Sequence, residues 1–142
     1  MIVDANLLVY AVAEGAPQHA RAAAWLEGAL ASGERVGLPW SSLGAFARIM
    51  THPRITTDPL NAAQAQDAVD GWLAHPAVWV PPATERTGRV YGELARRHHV
   101  TGNLVPDAQL AALAFEYGVA VASADSDFAR FTEVRWINPL AP

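Results

Sequence analysis

Aspartates stand beside short apolar segments at three separate places in the chain. Asp4 follows three apolar residues, Asp107 lies near the start of an apolar stretch with helical spacing, and Asp125 and Asp127 follow the apolar run Val119–Ala122. Two unit charges about 4 Å apart repel by roughly 4 kcal/mol at an effective dielectric constant of about 20. The sequence contains no lysine that could neutralise such a group. If folding brings these carboxylates together, they must protonate, move apart or bind a cation.

Carboxylate oxygens are ligands that Mg²⁺ and Mn²⁺ prefer, so these acids predict a divalent metal site. The chain has no cysteine, which excludes disulfides, thiolate zinc sites and cysteine nucleophiles. Each acid also has a structural explanation, since Asp107 suits a helix start and Asp125-Ser126-Asp127 suits a turn. Asp4 is harder to explain in this way, because ligands gather where strands end. Taken together, the acids favour a metal site over unrelated structural roles.

Segments of strand length alternate with segments of helical periodicity along the chain. The predicted strands are 1–3, 35–39, 77–80, 119–122 and 134–137, and the predicted helices are 5–13, 19–31, 43–50, 62–74, 84–98 and 106–117. This alternation predicts an α/β fold, a three-layer sandwich with a mostly parallel central sheet flanked by helices. The carboxyl ends of parallel strands lie at one edge of a sheet, and we expect the aspartates to meet there.

Several helix ends are marked by residues with strong positional preferences. Asn61 is predicted to cap the helix that follows it, and Ser41-Ser42 is typical of an N-cap. Pro106 suits the first turn of its helix, and Gly118 is predicted to end that helix.

The composition indicates a globular chain and excludes several classes of protein. With 142 residues, 51% of them hydrophobic and 17% charged, we expect one domain over residues 1–142. No apolar run approaches the roughly 20 residues that span a bilayer, so we expect a cytoplasmic protein without a membrane partner. A net charge of −4 argues against strong non-specific binding of nucleic acid. The lack of lysine excludes a Walker P-loop and a Schiff-base enzyme, and it disfavours receiver domains and haloacid-type phosphatases.

Three motifs, in their order and spacing, resemble those of one family. The family is that of PIN-domain ribonucleases, specifically the VapC toxins of bacterial toxin–antitoxin pairs, and the motifs are Met1-Ile2-Val3-Asp4-Ala5-Asn6, Val105-Pro106-Asp107-Ala108 and Ala122-Ser123-Ala124-Asp125-Ser126-Asp127-Phe128. The resemblance covers essentially the whole chain. It implies a PIN-domain-like fold and a Mg²⁺- or Mn²⁺-dependent endoribonuclease that cleaves phosphodiester bonds in tRNA, rRNA or mRNA. It also implies a homodimer that a cognate VapB-like antitoxin neutralises.

The resemblance implies roles for the polar residues of these motifs. Three acids are expected to be catalytic and to hold the metal: Asp4, Asp107 and Asp125. Asp127 is expected to be an additional acid. Asn6 and Ser123 stand where the family has small polar residues that hydrogen-bond the carboxylates. We expect Asp4 to orient or deprotonate the attacking water.

One position departs from the family pattern. The family usually has a Glu in the helix after the second strand, followed by an apolar residue, any residue and an Arg, and here that pattern falls on Ala45-Phe46-Ala47-Arg48. Ser41 or Ser42 is the alternative residue to line the site. Because fewer charged ligands hold a hard cation less tightly, we expect one firmly bound ion and a weakly bound second ion.

Contact with RNA requires cationic or aromatic side chains, because the acids repel phosphate. We expect weak contributions from Arg48, Arg54 and Trp40, with Arg96 and Arg97 as further candidates. The other tryptophans are expected in the core or in an interface.

Two alternative functions remain open. The first is a catalytically silent PIN-fold module that binds RNA or protein without cutting, and the missing acid at position 45 favours it. The second is a DNA-directed metal nuclease of related fold, which the small size and the lack of an arch or basic tail disfavour. A cleavage assay on RNA with and without Mn²⁺ separates these possibilities.

Overall fold

The computed structural model describes residues 1–142 and has a five-stranded parallel sheet at its centre. The strands, each of two residues, are β1 Ile2–Val3, β2 Val36–Gly37, β3 Val78–Trp79, β4 Val121–Ala122 and β5 Trp136–Ile137. Their order across the sheet is β3-β2-β1-β4-β5. The predicted α/β fold with a parallel central sheet is confirmed.

Six helices and one 3-10 helix connect these strands. The helices are α1 Ala5–Val12, α2 His19–Ala31, α3 Trp40–Met50, α4 Ala62–Leu73, α5 Glu85–His98 and α6 Leu104–Tyr117, and the 3-10 helix is Ser126–Arg130. None of these helices is long and apolar enough to cross a membrane.

Local chemistry explains several of the helix ends. Asn61 caps α4 through a reciprocal pair of hydrogen bonds with Gln64, as the sequence predicts. Gly118 ends α6 in the left-handed conformation, with φ of 65°, where glycine has no steric penalty. Helix α6 begins two residues before Pro106, which still lies in the first turn, where a backbone N–H has no partner within the helix.

The predicted N-cap at Ser41-Ser42 is wrong. Helix α3 begins at Trp40, and Pro39 occupies the capping position without a side-chain hydrogen bond. Ser42 lies inside the helix and is buried, and its hydroxyl donates to the Val3 carbonyl at 2.7 Å. The serine therefore satisfies a backbone group of the neighbouring strand, a long-range contact that helix-capping preferences do not include.

Two buried clusters lie on opposite faces of the sheet. Val3 belongs to the cluster formed with α1 to α4, whereas its neighbour Ile2 belongs to the cluster formed with α5, α6 and the 3-10 helix. Successive residues of a strand point to opposite faces, so the alternation puts one helical layer on each side. In the first layer, Phe46 and Trp72 pack edge to face with ring centres 4.8 Å apart.

The sheet order makes β1 and β4 neighbours at the centre of the molecule. Ile2 pairs with Val121 and Val3 pairs with Ala122, so the next residues, Asp4 and Ser123, leave the sheet side by side. This register brings the first and third sequence motifs together across more than a hundred residues of chain.

Candidate active site

Asp4 occupies the junction between β1 and α1 at the carboxyl edge of the sheet. Its Oδ1 caps α1 by accepting a hydrogen bond from the Ala5 N–H at 2.7 Å. Its Oδ2 accepts a hydrogen bond from the Ser123 hydroxyl at 2.7 Å. Each carboxylate oxygen therefore has a fixed direction before any ligand binds.

The Ser123 side chain connects the two strands. Its buried hydroxyl donates to Asp4 and accepts hydrogen bonds from the Asn6 side-chain amide and from the Asp125 N–H, both at 3.0 Å. The Asn6 Oδ1 in turn accepts from the Ala124 N–H at 3.3 Å. Asn6 and Ser123 thus hold the residues around Asp4 and Asp125, and their role towards a metal stays a prediction.

Three carboxylates converge beside this network. Asp107 projects from the first turn of α6, while Asp125 and Asp127 lie at the start of the 3-10 helix. One carboxylate oxygen from each of these residues lies within 4.8 Å of the other two. The Asp127 N–H donates to Asp125 Oδ1 at 2.9 Å, which fixes the turn between them.

The predicted metal-holding trio differs from this observed group by one member. Asp4 is outside the convergent set, and Asp127, expected to be an additional acid, is inside it. The reason is the 3-10 turn, which returns Asp127 towards Asp125 and Asp107 instead of leaving it along an extended chain. The sequence signal for the presence of Asp127 in this group was its position two residues after Asp125 at the end of a strand. The spacing alone does not reveal the turn.

The electrostatics of the group reflect its like charges. Burial, followed by the charges of Asp125, Asp4 and Asp127, raises the pKa of Asp107 to about 7. Burial also raises the pKa of Asp4; the hydrogen bonds from Ser123 and Ala5 oppose this rise, and the Asp125 charge adds to it. Neither ion pair of the structure reaches these acids, because both involve Glu133. This oxygen-only group of like charges, half-buried at Asp107 and Asp125 and exposed at Asp127, is the donor set that a hard divalent cation fits.

The alanine at the position of the missing Glu carries no side-chain oxygen. Ala45 is half-buried in the middle of α3. Ser42 donates its only hydroxyl proton to Val3, and Ser41 is exposed. Neither serine belongs to the group of three carboxylates, whose third member is Asp127.

The residues predicted to contact RNA are exposed but lie outside the acidic group. Trp40 is 59% exposed at the start of α3, three residues after the end of β2, the strand that pairs with β1. Arg48 is exposed in the last turn of the same helix, and Arg54 is exposed in the following loop. Arg96 is also exposed, whereas Arg97 pairs with Glu133 at 2.6 Å and is less available to a ligand.

Asn6 also lines a largely apolar groove of about 720 Å³. Its walls come from α1, from the end of α3 and from residues 55–60, and Ile55 on one wall is 54% exposed. Glu14 and Asp58 add acidic groups to its lining. Sequence reasoning missed this groove, because it forms between elements distant in the chain.

Comparison with known proteins gives a consistent result. The PIN domain model matches residues 1–134. Ribonuclease VapC37 of Mycobacterium tuberculosis is 41% identical over 140 residues, which cover 99% of this chain and 97% of that protein. Ribonuclease VapC33 of the same species is 39% identical, with 99% and 98% covered.

Solved structures share the fold at lower identity. VapBC2 from Rickettsia felis, bound to a DNA fragment from its promoter, matches with a TM-score of 0.73 and 18% identity over 96% of both chains. VapC20 of Mycobacterium tuberculosis, described as a toxin that cleaves the sarcin–ricin loop, matches with a TM-score of 0.64 and 19% identity over 94% of this chain and 98% of that one.

Proposed function

The chain belongs to the PIN-domain family, and from that premise we propose that it is a VapC-type, metal-dependent endoribonuclease that cleaves RNA phosphodiester bonds. The convergence of Asp107, Asp125 and Asp127 beside Asp4 carries the proposal. The identity of about two residues in five to proteins named ribonuclease VapC supports the same reaction.

We propose Mg²⁺ or Mn²⁺ as the cofactor. Asp4, Asp107 and Asp125 are the proposed ligands, with Asp127 added because its carboxylate lies in the same group. A bound divalent cation lowers the pKa of a coordinated water and offsets charge on the phosphoryl oxygens.

The chain's own groups prepare the site for this chemistry. Because the Asp107 pKa is about 7, this side chain carries a proton in roughly half of the molecules at neutral pH. Occupation of the site displaces that proton, so affinity for the cation increases with pH. Asp4 is the residue proposed to orient the attacking water or accept its proton, and its hydrogen bonds with Ser123 and Ala5, which fix its carboxylate, support this role.

Arg48, Arg54 and Trp40 are the proposed RNA contacts. The acidic group repels phosphate, so guanidinium groups outside it are needed to hold the RNA backbone. The exposed Trp40 ring offers a flat surface on which a single-stranded base can stack.

The proposed partner is a VapB-like antitoxin seated in the apolar groove. An amphipathic segment with apolar anchors suits the walls, and basic side chains suit Glu14 and Asp58. A segment lying there reaches Asn6 and can cover the neighbouring acids. The homodimer stays a prediction, which the molecular mass in solution tests.

The test is cleavage of total RNA by the purified protein with Mn²⁺ and with a chelator. We expect cleavage only with the metal, and none from Asp107→Asn. Arg130→Gln, an exposed charge change in the 3-10 helix, is the control that should cleave like wild type. Metal-dependent binding without cleavage would support the silent module instead, and cleavage of DNA in preference to RNA would support the DNA-directed nuclease.

A further inference from the structure

Ser123 is held by more than its side chain. Its N–H donates to the Ile137 carbonyl at 3.0 Å, in the ladder that joins β4 to β5. Its carbonyl accepts a hydrogen bond at 2.9 Å from the indole Nε1–H of Trp136. The residue at the centre of the acidic network is thus fixed on both sides of its backbone by β5 and the residues around it.

The register of the sheet explains why a side chain, and not the backbone of β5, donates the hydrogen bond to the Ser123 carbonyl. In a parallel ladder, a residue donates to one residue of the neighbouring strand and accepts from the residue two positions further on. Val121 donates to Arg135 and Ser123 donates to Ile137, so the next donor in the series belongs to residue 139. Residue 139 is proline and has no N–H.

The Ser123 carbonyl would therefore lack a hydrogen-bond partner in the ladder. Ser123 is the residue directly after β4, where the chain leaves the sheet towards Asp125. A buried carbonyl without a hydrogen bond is unfavourable, and the peptide group between Ser123 and Ala124 would then be held only by the 3.3 Å hydrogen bond from the Ala124 N–H to Asn6 Oδ1. The indole of Trp136, three residues before the proline, supplies the donor that the backbone cannot.

We propose that Trp136 is a positioning residue for the acidic site, because its indole N–H replaces the ladder hydrogen bond that Pro139 removes and so fixes Ser123 and the turn to Asp125. The consequence for metal binding rests on the proposed function. The restraint on the backbone is independent of it.

The test compares three variants of the full chain. Trp136→Phe removes the donor but keeps an aromatic ring on the strand. Trp79→Phe is the matched control, since Trp79 lies in β3, the opposite edge strand, and its indole makes no hydrogen bond. Trp136→Phe combined with Pro139→Ala returns a backbone N–H to the vacant ladder position.

The first readout is amide hydrogen exchange of the metal-free protein. In Trp136→Phe we expect the Ser123 and Asp125 amides to exchange about five- to tenfold faster, on the order of the loss of one hydrogen bond. The Leu38 amide, which donates to the Trp79 carbonyl on the far side of the sheet, should be unchanged. Trp79→Phe should leave Ser123 and Asp125 protected, and the double variant should recover their protection.

The second readout is calorimetric titration of Mn²⁺ without RNA. Trp136→Phe should weaken binding about five- to tenfold, and the double variant should recover it. Unchanged amide exchange in Trp136→Phe would overturn the proposal. Faster exchange or weaker Mn²⁺ binding that the double variant does not recover would also overturn it, because the ring would then act only through packing. If wild type binds no Mn²⁺ yet exchange behaves as expected, the proposed function fails and the positioning role stands.

Discussion

At the scale of single residues, the site is defined by carboxylates that repel one another. The Asp107 pKa of about 7 results from burial and from three neighbouring acids, none of which has a cationic partner. The acids themselves could be predicted from their types and their places after apolar segments. That Asp127 and not Asp4 belongs to the convergent group could not be predicted, because it depends on a turn of the backbone that the spacing in the sequence does not encode.

We predict that the metal-free protein loses stability as pH rises from about 4 to about 7. The folded-state pKa of Asp107 lies above the ordinary value of 3.8, so the folded chain binds a proton that the unfolded chain has released. Asp107→Asn should remove most of this dependence and be more stable at pH 8, on the order of 1 kcal/mol after allowance for solvent screening of the half-exposed side chain. Urea unfolding at pH 5 and pH 8 measures the unfolding free energy of wild type and of Asp107→Asn. An equal change in this free energy between the two pH values for both proteins would contradict the electrostatic account.

Ala45→Glu should tighten the binding of a second metal ion. Position 45 lies on α3, which contacts β1 through Ser42, and an added carboxylate supplies the charged oxygen that alanine lacks. Calorimetric titration of Mn²⁺ without RNA should give one firmly bound ion for wild type and two for the variant. Gly44→Glu, at an exposed position of the same helix where an added Cβ meets no neighbour, is the control for added charge. Two firmly bound ions in wild type would show that another residue already replaces the acid.

At the scale of helices and strands, short-range preferences predicted every helix end to within two residues except the start of α3, and they predicted strands longer than the observed two residues. Asn61 and Gly118 act within one turn of their own helix, so their roles are visible in the sequence. Ser42 acts across the chain on Val3, and its neighbours in sequence contain no sign of that contact. The prediction of a single domain over residues 1–142 stays a prediction.

Ser42→Ala should destabilise the fold by about 1–3 kcal/mol, because it leaves the buried Val3 carbonyl without its donor. Ser41→Ala, an exposed change one residue earlier in the same helix, is the matched control and should be within about 0.5 kcal/mol of wild type. Chemical denaturation of the three proteins is the measurement. Equal stability of both variants would mean that the hydroxyl of Ser42 is dispensable.

At the scale of the whole molecule, parallel pairing of β1 with β4 unites the first and third motifs, and the groove beside α1 shares Asn6 with the site. The three-layer fold could be predicted because strands and helices alternate along the sequence. The groove could not, since its walls come from segments whose packing is decided by the complete core.

Expression of this chain should arrest growth of a bacterial host, and co-expression of its antitoxin should restore growth. Ile55→Asp places a charge on an exposed apolar residue of the groove, so the variant should stay toxic but resist neutralisation. Phe115→Asp is the control, because Phe115 is similarly exposed on α6 and lies outside the groove. Normal neutralisation of the Ile55 variant would place the antitoxin elsewhere.

The most direct measurement of the central claim is the melting temperature of the purified, RNA-free protein as Mn²⁺ is raised in tenfold steps. A ligand that binds only the folded state stabilises it by about 2.7 kcal/mol at a hundredfold excess over its dissociation constant. We predict a steady rise for wild type and little or none for Asp107→Asn, which lacks one carboxylate of the group. A wild-type melting temperature that does not change over the whole series would contradict the assignment of these acids as a metal site.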